Sequence, residues 1–170
     1  MISMSNAIFV LFASILVFSM TPGLAFFMAA KNVVNTMISI FSICGIGILL
    51  FISCGYGLCF SRSHFGIIGN FHHLFLSGVN LMKPFGTTHI PLGVDIIFQL
   101  MFALVTPALF VGATDGRMKF SYLITFVCVW TLVVYYPLVH IIWSPAGLLA
   151  QHGLLDFAWN DFLMDRLVRL

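Results

Sequence analysis

The chain has 170 residues, of which 61% are hydrophobic and only 7% charged, whereas a soluble domain carries about 25% charged residues. Such a chain cannot cover a water-facing surface, so the class is membrane protein. A formal net charge of +2 is too small to point to nucleic acid as a partner. Glu is absent, and the acids are Asp95, Asp115, Asp156, Asp161 and Asp165.

A spanning helix needs about 20 mostly apolar residues. Residues 5–30 carry no charge and predict the first span, interrupted by Thr21–Pro22–Gly23. Such a break is tolerated in a bilayer only where neighbouring helices or a cavity satisfy the freed backbone. No Lys or Arg precedes Lys31, so the basic start of a cleaved signal peptide is missing and this run is expected to stay in the mature protein. After the short turn at Lys31–Asn32, residues 33–60 predict a second span, in which Gly45, Gly47, Gly55 and Gly57 offer smooth faces for close helix approach.

From Ser61 to about Pro91 the chain turns polar, with Arg62, His64, His72, His73, Lys83 and His89 among Gly, Ser and Asn. This predicts an extramembrane loop with room for a short surface helix. Residues 92–114 predict the third span, with Asp95 near enough to its end to reach the interface. Asp115–Gly116–Arg117 is a tight turn, and residues 120–143 predict the fourth span. Its end, with Tyr135, Tyr136, His140 and Trp143, reads as an aromatic belt at the membrane boundary together with packing residues. The tail 159–170 is too short to cross and is at most an interfacial helix.

Lys31, Arg117 and Lys119 lie in the short turns, and Arg62, Lys83, Arg166 and Arg169 on the opposite side. With the tail set aside, cytoplasmic short turns are mildly favoured. Cys44, Cys54, Cys59 and Cys128 all sit in apolar runs without ligand spacing and read as packing residues. The His72–His73 pair projects about 100° apart on a helix and reads as solvated loop. No metal or cofactor is expected.

Phe98 and Phe102 lie four apart in the third span, so on a helix their rings share a face. Spacing alone leaves open whether that face meets lipid, another helix or something that passes through. The usual outcome for such a pair is ordinary packing.

Four segments, taken together, resemble the ammonium transporter family. They are Thr21–Pro22–Gly23–Leu24–Ala25–Phe26–Phe27 with Lys31–Asn32–Val33, and Gly55–Tyr56; then Phe98–Gln99 … Phe102–Ala103 … Thr106 … Gly112–Ala113 … Arg117–Met118–Lys119–Phe120; and finally Trp130 … Tyr135 … Pro137 … His140 … Trp143 … Gly147–Leu148–Leu149–Ala150 … His152–Gly153 … Leu155–Asp156–Phe157–Ala158. They follow the family's order over residues 20–158. The fold the resemblance implies is an all-α membrane protein, about four transmembrane helices forming the first part of an eleven-helix transporter built from two inverted halves, with residues 1–158 in that domain and 159–170 a divergent tail. It further implies ammonium or ammonia as substrate, a multi-pass place in the plasma or inner membrane bilayer, a homotrimer, no enzymatic activity, and an outward N-terminus.

Ammonium is close in size to potassium, so selection relies on aromatic faces, worth about 0.5–2 kcal/mol per ring, and on acceptors for its N–H groups. By resemblance, Phe98 and Trp143 are walls of an outer recruitment site and Phe102 part of the gate below it. For Trp143 an interfacial anchoring role is compatible with this. Asp156 reads either as an intramembrane cation site or as a helix N-cap; the cap is favoured because the family's next helix begins just after it.

The sequence departs from the family's pattern in several places. Only Met28, Ala29 and Ala30 separate Phe27 from Lys31, where the family has a longer glycine-bearing turn; Gly116 replaces an acid; and Met164 stands where the family has a pore histidine. A codon run for Trp159–Asn160–Asp161 read one base later begins Gly-Met-Thr, as a frame change would produce. The expectation is therefore a truncated, non-conducting copy. A fragment that co-assembles with intact subunits and modulates them, and an unrelated four-helix membrane protein, are the alternatives; a haem-binding bundle would need paired histidines inside spans, and only His140 lies near a span end.

Overall fold

The computed structural model describes residues 2–28, 33–85, 89–114 and 118–152. Among the described residues, four helices are long and apolar enough to cross a membrane: Met4–Phe27, Val33–Phe60, Leu92–Val111 and Phe120–Trp143. They coincide with the spans expected from the apolar runs.

The first, α1 (Met4–Met28), is one continuous helix with Pro22 inside it. The interruption expected at Thr21–Pro22–Gly23 does not occur. Where no water competes for the backbone, losing one proline N–H costs less than breaking the helix and exposing several. The buried residues of α1 are Ala7, Ser14, Thr21 and Ala25, a stripe of small side chains that recurs every seven or four positions. It lets α1 lie closely along α4 (Leu92–Thr114). The opposite face carries Ile8, Phe9, Phe12 and Ile15, all exposed, as suits a surface turned to lipid.

The second and fourth spans are each built in three parts. α2 (Val33–Leu50) passes through a π-helical turn at Phe51–Gly55 into α3 (Tyr56–Phe60). α5 (Phe120–Trp130) passes through a π-helical turn at Thr131–Tyr135 into α6 (Tyr136–Trp143). In each turn the N–H of the following tyrosine reaches back five residues, Tyr56 to the Phe51 carbonyl and Tyr136 to that of Thr131. Of the four glycines expected to smooth the second span, Gly47 meets Leu104, Gly55 meets Tyr136 and Gly57 meets the Asn70 carbonyl, but Gly45 faces open space.

Two apolar clusters fill the bundle. Ile40, Ile43, Leu104, Val111 and Val127 anchor the one nearer the short turns; Phe51, Tyr56, Ile96, Tyr135, Tyr136 and Val139 anchor the one nearer the long loop. Tyr136 and His140 are fully buried, and Tyr135 nearly so. They are packing residues of the bundle interior, not members of a lipid-facing belt.

The polar stretch after α3 forms two antiparallel hairpins. β1 (Ser63–His64) pairs with β2 (Ile68–Gly69), and β3 (Pro84–Phe85) pairs with β4 (Ile90–Pro91). A short 3₁₀ segment, Phe71–Leu76, lies between them and is broken internally at His73–Phe75. This loop is tied down at both of its neighbours. The carbonyls of Leu81 and Lys83 accept from Gly93 and Leu92 at 2.8 and 2.9 Å, satisfying first-turn N–H groups of α4 that have no partner inside the helix. Gly66 accepts from the backbone of Leu148, the first residue of α7 (Leu148–Gln151), at 2.9 Å.

Candidate functional site

The third span carries one polar and aromatic stripe. Asp95, Phe98, Gln99, Phe102 and Thr106 fall at three- and four-residue steps on α4, which places them on one helical face. Phe98 and Phe102 meet edge to face, ring centroids 5.0 Å apart at 77°. Phe102 then meets Trp143, the last residue of α6, at 6.0 Å and 72°. The three aromatic side chains singled out in the sequence thus form a continuous stack joining two spans that are distant in the chain. All three are partly buried, so the stack borders a surface and is not sealed inside the core. Thr106 closes its hydroxyl on the Phe102 carbonyl at 2.8 Å and also interacts with the Tyr135 side chain of the fourth span.

Trp143 ends its helix where the chain turns sharply. The Ser144 N–H donates to the His140 carbonyl at 3.3 Å, and the Gly147 N–H to the Ser144 carbonyl at 2.8 Å. A Cβ on Gly147 would overlap the carbonyl of His140 and lie 2.5 Å from that of Ile141. Glycine is required at this corner by the close approach of backbone.

A second polar constellation lies where α3 and the end of the π-turn before it pack against α6. Tyr136 occupies the space beside Gly55, where an added Cβ would come within 2.6 Å of its ring and its hydroxyl. The imidazole of His140 bonds through Nδ1 to the Cys59 carbonyl at 2.8 Å. A carbonyl only accepts, so Nδ1 carries the proton. His140 Nε2 and the Tyr136 hydroxyl are buried without hydrogen-bond partners among the described residues. Sequence reasoning treated His140 as packing and missed its interhelical bond. The available signal was an ionisable residue within a span, which marks a polar partner by default.

Asp95, in the first turn of the span, is buried against the protein, with the Gln99 amide interacting with its carboxylate. Asp156 and the tail 159–170 lie outside the described residues.

Four apolar helices with an aromatic and polar stripe converging at one end define a multi-span α-helical membrane protein. The chain belongs to the Ammonium Transporter Family, whose model matches residues 8–162. It is 40% identical over 159 residues to an ammonium transporter of Aquifex aeolicus, covering 90% of this chain and 37% of that protein. An ammonium transporter of Bacillus subtilis is 35% identical over 162 residues, covering 93% of this chain and 40% of its own length. Among solved structures, Mep2 of Candida albicans superposes with a TM-score of 0.82 at 26% identity, covering 93% of this chain and 35% of that one. The chain therefore spans well under half the length of the relatives it matches. Family membership sets aside the reading as an unrelated four-helix membrane protein.

Proposed function

We infer that the chain forms the first part of an ammonium path in a cell membrane, with Phe98 and Trp143 walling an outer recruitment site and Phe102 forming part of its gate. The observation that carries this is the aromatic stack from Phe98 through Phe102 to Trp143. A partly dehydrated cation gains about 0.5–2 kcal/mol from each such ring. Both relatives named above are ammonium transporters, which supports transport, not catalysis, as the activity. The homotrimer of the family and the cap role of Asp156 belong to the same reading.

The stack predicts a measurable binding site. Radiolabelled methylammonium is expected to bind the purified chain in lipid nanodiscs, and Phe102→Ala is expected to weaken that binding about fivefold, the equivalent of one ring. Unchanged affinity in Phe102→Ala overturns the reading.

Binding does not imply passage. An inverted-repeat transporter places its substrate path between two halves, and the 159 and 162 residues that align cover 37% and 40% of the two relatives. Met164 also stands where the family resemblance calls for a proton-accepting histidine. The 170-residue polypeptide, reconstituted alone in vesicles, is expected to give methylammonium uptake no faster than protein-free vesicles. Saturable uptake by the chain alone would show that it conducts unaided.

A further inference from the structure

Asp95 is the sole acid among the described residues, and it is only 5% exposed. It sits in the first turn of α4, beneath the long loop, with Tyr56 of α3 within electrostatic reach. One turn further along, Gln99 is 3% exposed and its side-chain amide interacts with the carboxylate. No lysine or arginine among the described residues neutralises Asp95. A buried carboxylate with an amide donor near it but no counter-charge is costly for a fold to retain. The carboxylate gains if a small cation with N–H donors sits beside it.

Position ties this pair to the aromatic stack. Asp95, Phe98 and Phe102 are three and four residues apart on one helical face, so the carboxylate lies about 4.5 Å along the axis from Phe98. It stands at the loop end of the span, ahead of both rings.

We propose that the Asp95 carboxylate is an additional binding group for ammonium-type cations, holding the ion one helical turn before Phe98 and delivering it, partly dehydrated, to the rings. The proposal rests on the recruitment-site reading of Phe98, Phe102 and Trp143. The rings select for a cation that can be stripped of water; the carboxylate supplies charge, and it accepts N–H hydrogen bonds, which a ring face does only weakly. Gln99, adjacent on the same stripe, turns its amide donor toward the carboxylate and steadies it.

The test is equilibrium binding of radiolabelled methylammonium to the full chain in nanodiscs, comparing the native chain with Asp95→Asn and Phe102→Ala. Asp95→Asn keeps the shape and removes the charge, and it is expected to weaken binding at least tenfold, the scale of one charge-assisted hydrogen bond. Unchanged affinity in Asp95→Asn with a weakened Phe102→Ala overturns the role of Asp95 and leaves the recruitment site standing. If neither variant changes affinity, both readings fall together, and absence of binding to the native chain overturns the proposal directly. A second measurement needs no variant. In the native chain labelled with ¹³C-aspartate, methylammonium is expected to shift a carboxylate infrared band, and a spectrum that does not move overturns the proposal even if Asp95→Asn fails to fold. An acid that serves only the N-terminus of α4 gives a destabilised Asp95→Asn with unaltered binding per folded molecule.

Discussion

Gly147→Ala is expected to destabilise the bundle by about 3 kcal/mol, the upper range for forcing one extra carbon into a packed site. The added methyl overlaps the His140 carbonyl and crowds that of Ile141, and these are backbone atoms with no rotamer through which to retreat. The only relief is to swing the corner away from α6. That loosens the Gly147–Ser144 and Leu148–Gly66 hydrogen bonds and, with them, the seat of Trp143. Unfolding in mixed micelles, followed as helicity against the mole fraction of SDS, measures the loss. Stability within 0.5 kcal/mol of the native chain, on the scale of a neutral surface change, would falsify the account of this corner.

His140→Ala is expected to cost a similar amount, about 3 kcal/mol, combining a cavity with an orphaned carbonyl. The residue is fully buried, and its Nδ1 bond to the Cys59 carbonyl is a polar link between the ends of the second and fourth spans, beside the longer contact of the Cys59 thiol with the Tyr136 carbonyl. Two conservative variants separate the bond from the volume. Asparagine carries an N–H at the same distance from Cβ as Nδ1, so His140→Asn retains the link and most of the stability. Glutamine carries its amide one carbon further out, near the Nε2 position, and is expected to behave like alanine. The same SDS titration ranks the three; an asparagine variant no better than alanine removes the hydrogen bond from the explanation.

The spans were readable in the sequence because crossing a bilayer is a demand on length and apolarity alone, and residues 33–60 and 120–143 meet it without help from the rest of the chain. The aromatic site was only half readable. Phe98 and Phe102 share a face by spacing, but nothing local places Trp143 against Phe102, forty-one positions later in the chain. Only the family resemblance grouped them, and the stack at 6.0 Å is a product of tertiary packing. Pro22 misled in the opposite sense: its usual meaning as a helix breaker holds in water, where freed carbonyls find partners, and weakens in an apolar surround. The burial of Asp95 was hidden because it depends on the loop that folds over the start of α4 through Leu81 and Lys83. The π-turns were hidden for a related reason, since what marks them is the fit of Tyr136 against Gly55 across two spans.

The π-turn at Thr131–Tyr135 has a further consequence for heredity. It holds one residue more than an ordinary helix of the same rise, and each α-helical residue advances the chain by about 100° of azimuth. A gene that lost a single codon within this turn would heal it into ordinary α-helix, and the residues beyond would keep their azimuth. The same loss within α5, with the π-turn left in place, would rotate everything beyond it by about 100°. Trp143 would then leave Phe102, and His140 would leave the Cys59 carbonyl, in one step. The π-turn is therefore where descendants of this sequence can shed a residue without changing the phase of the fourth span, a freedom invisible to any measure of hydrophobicity.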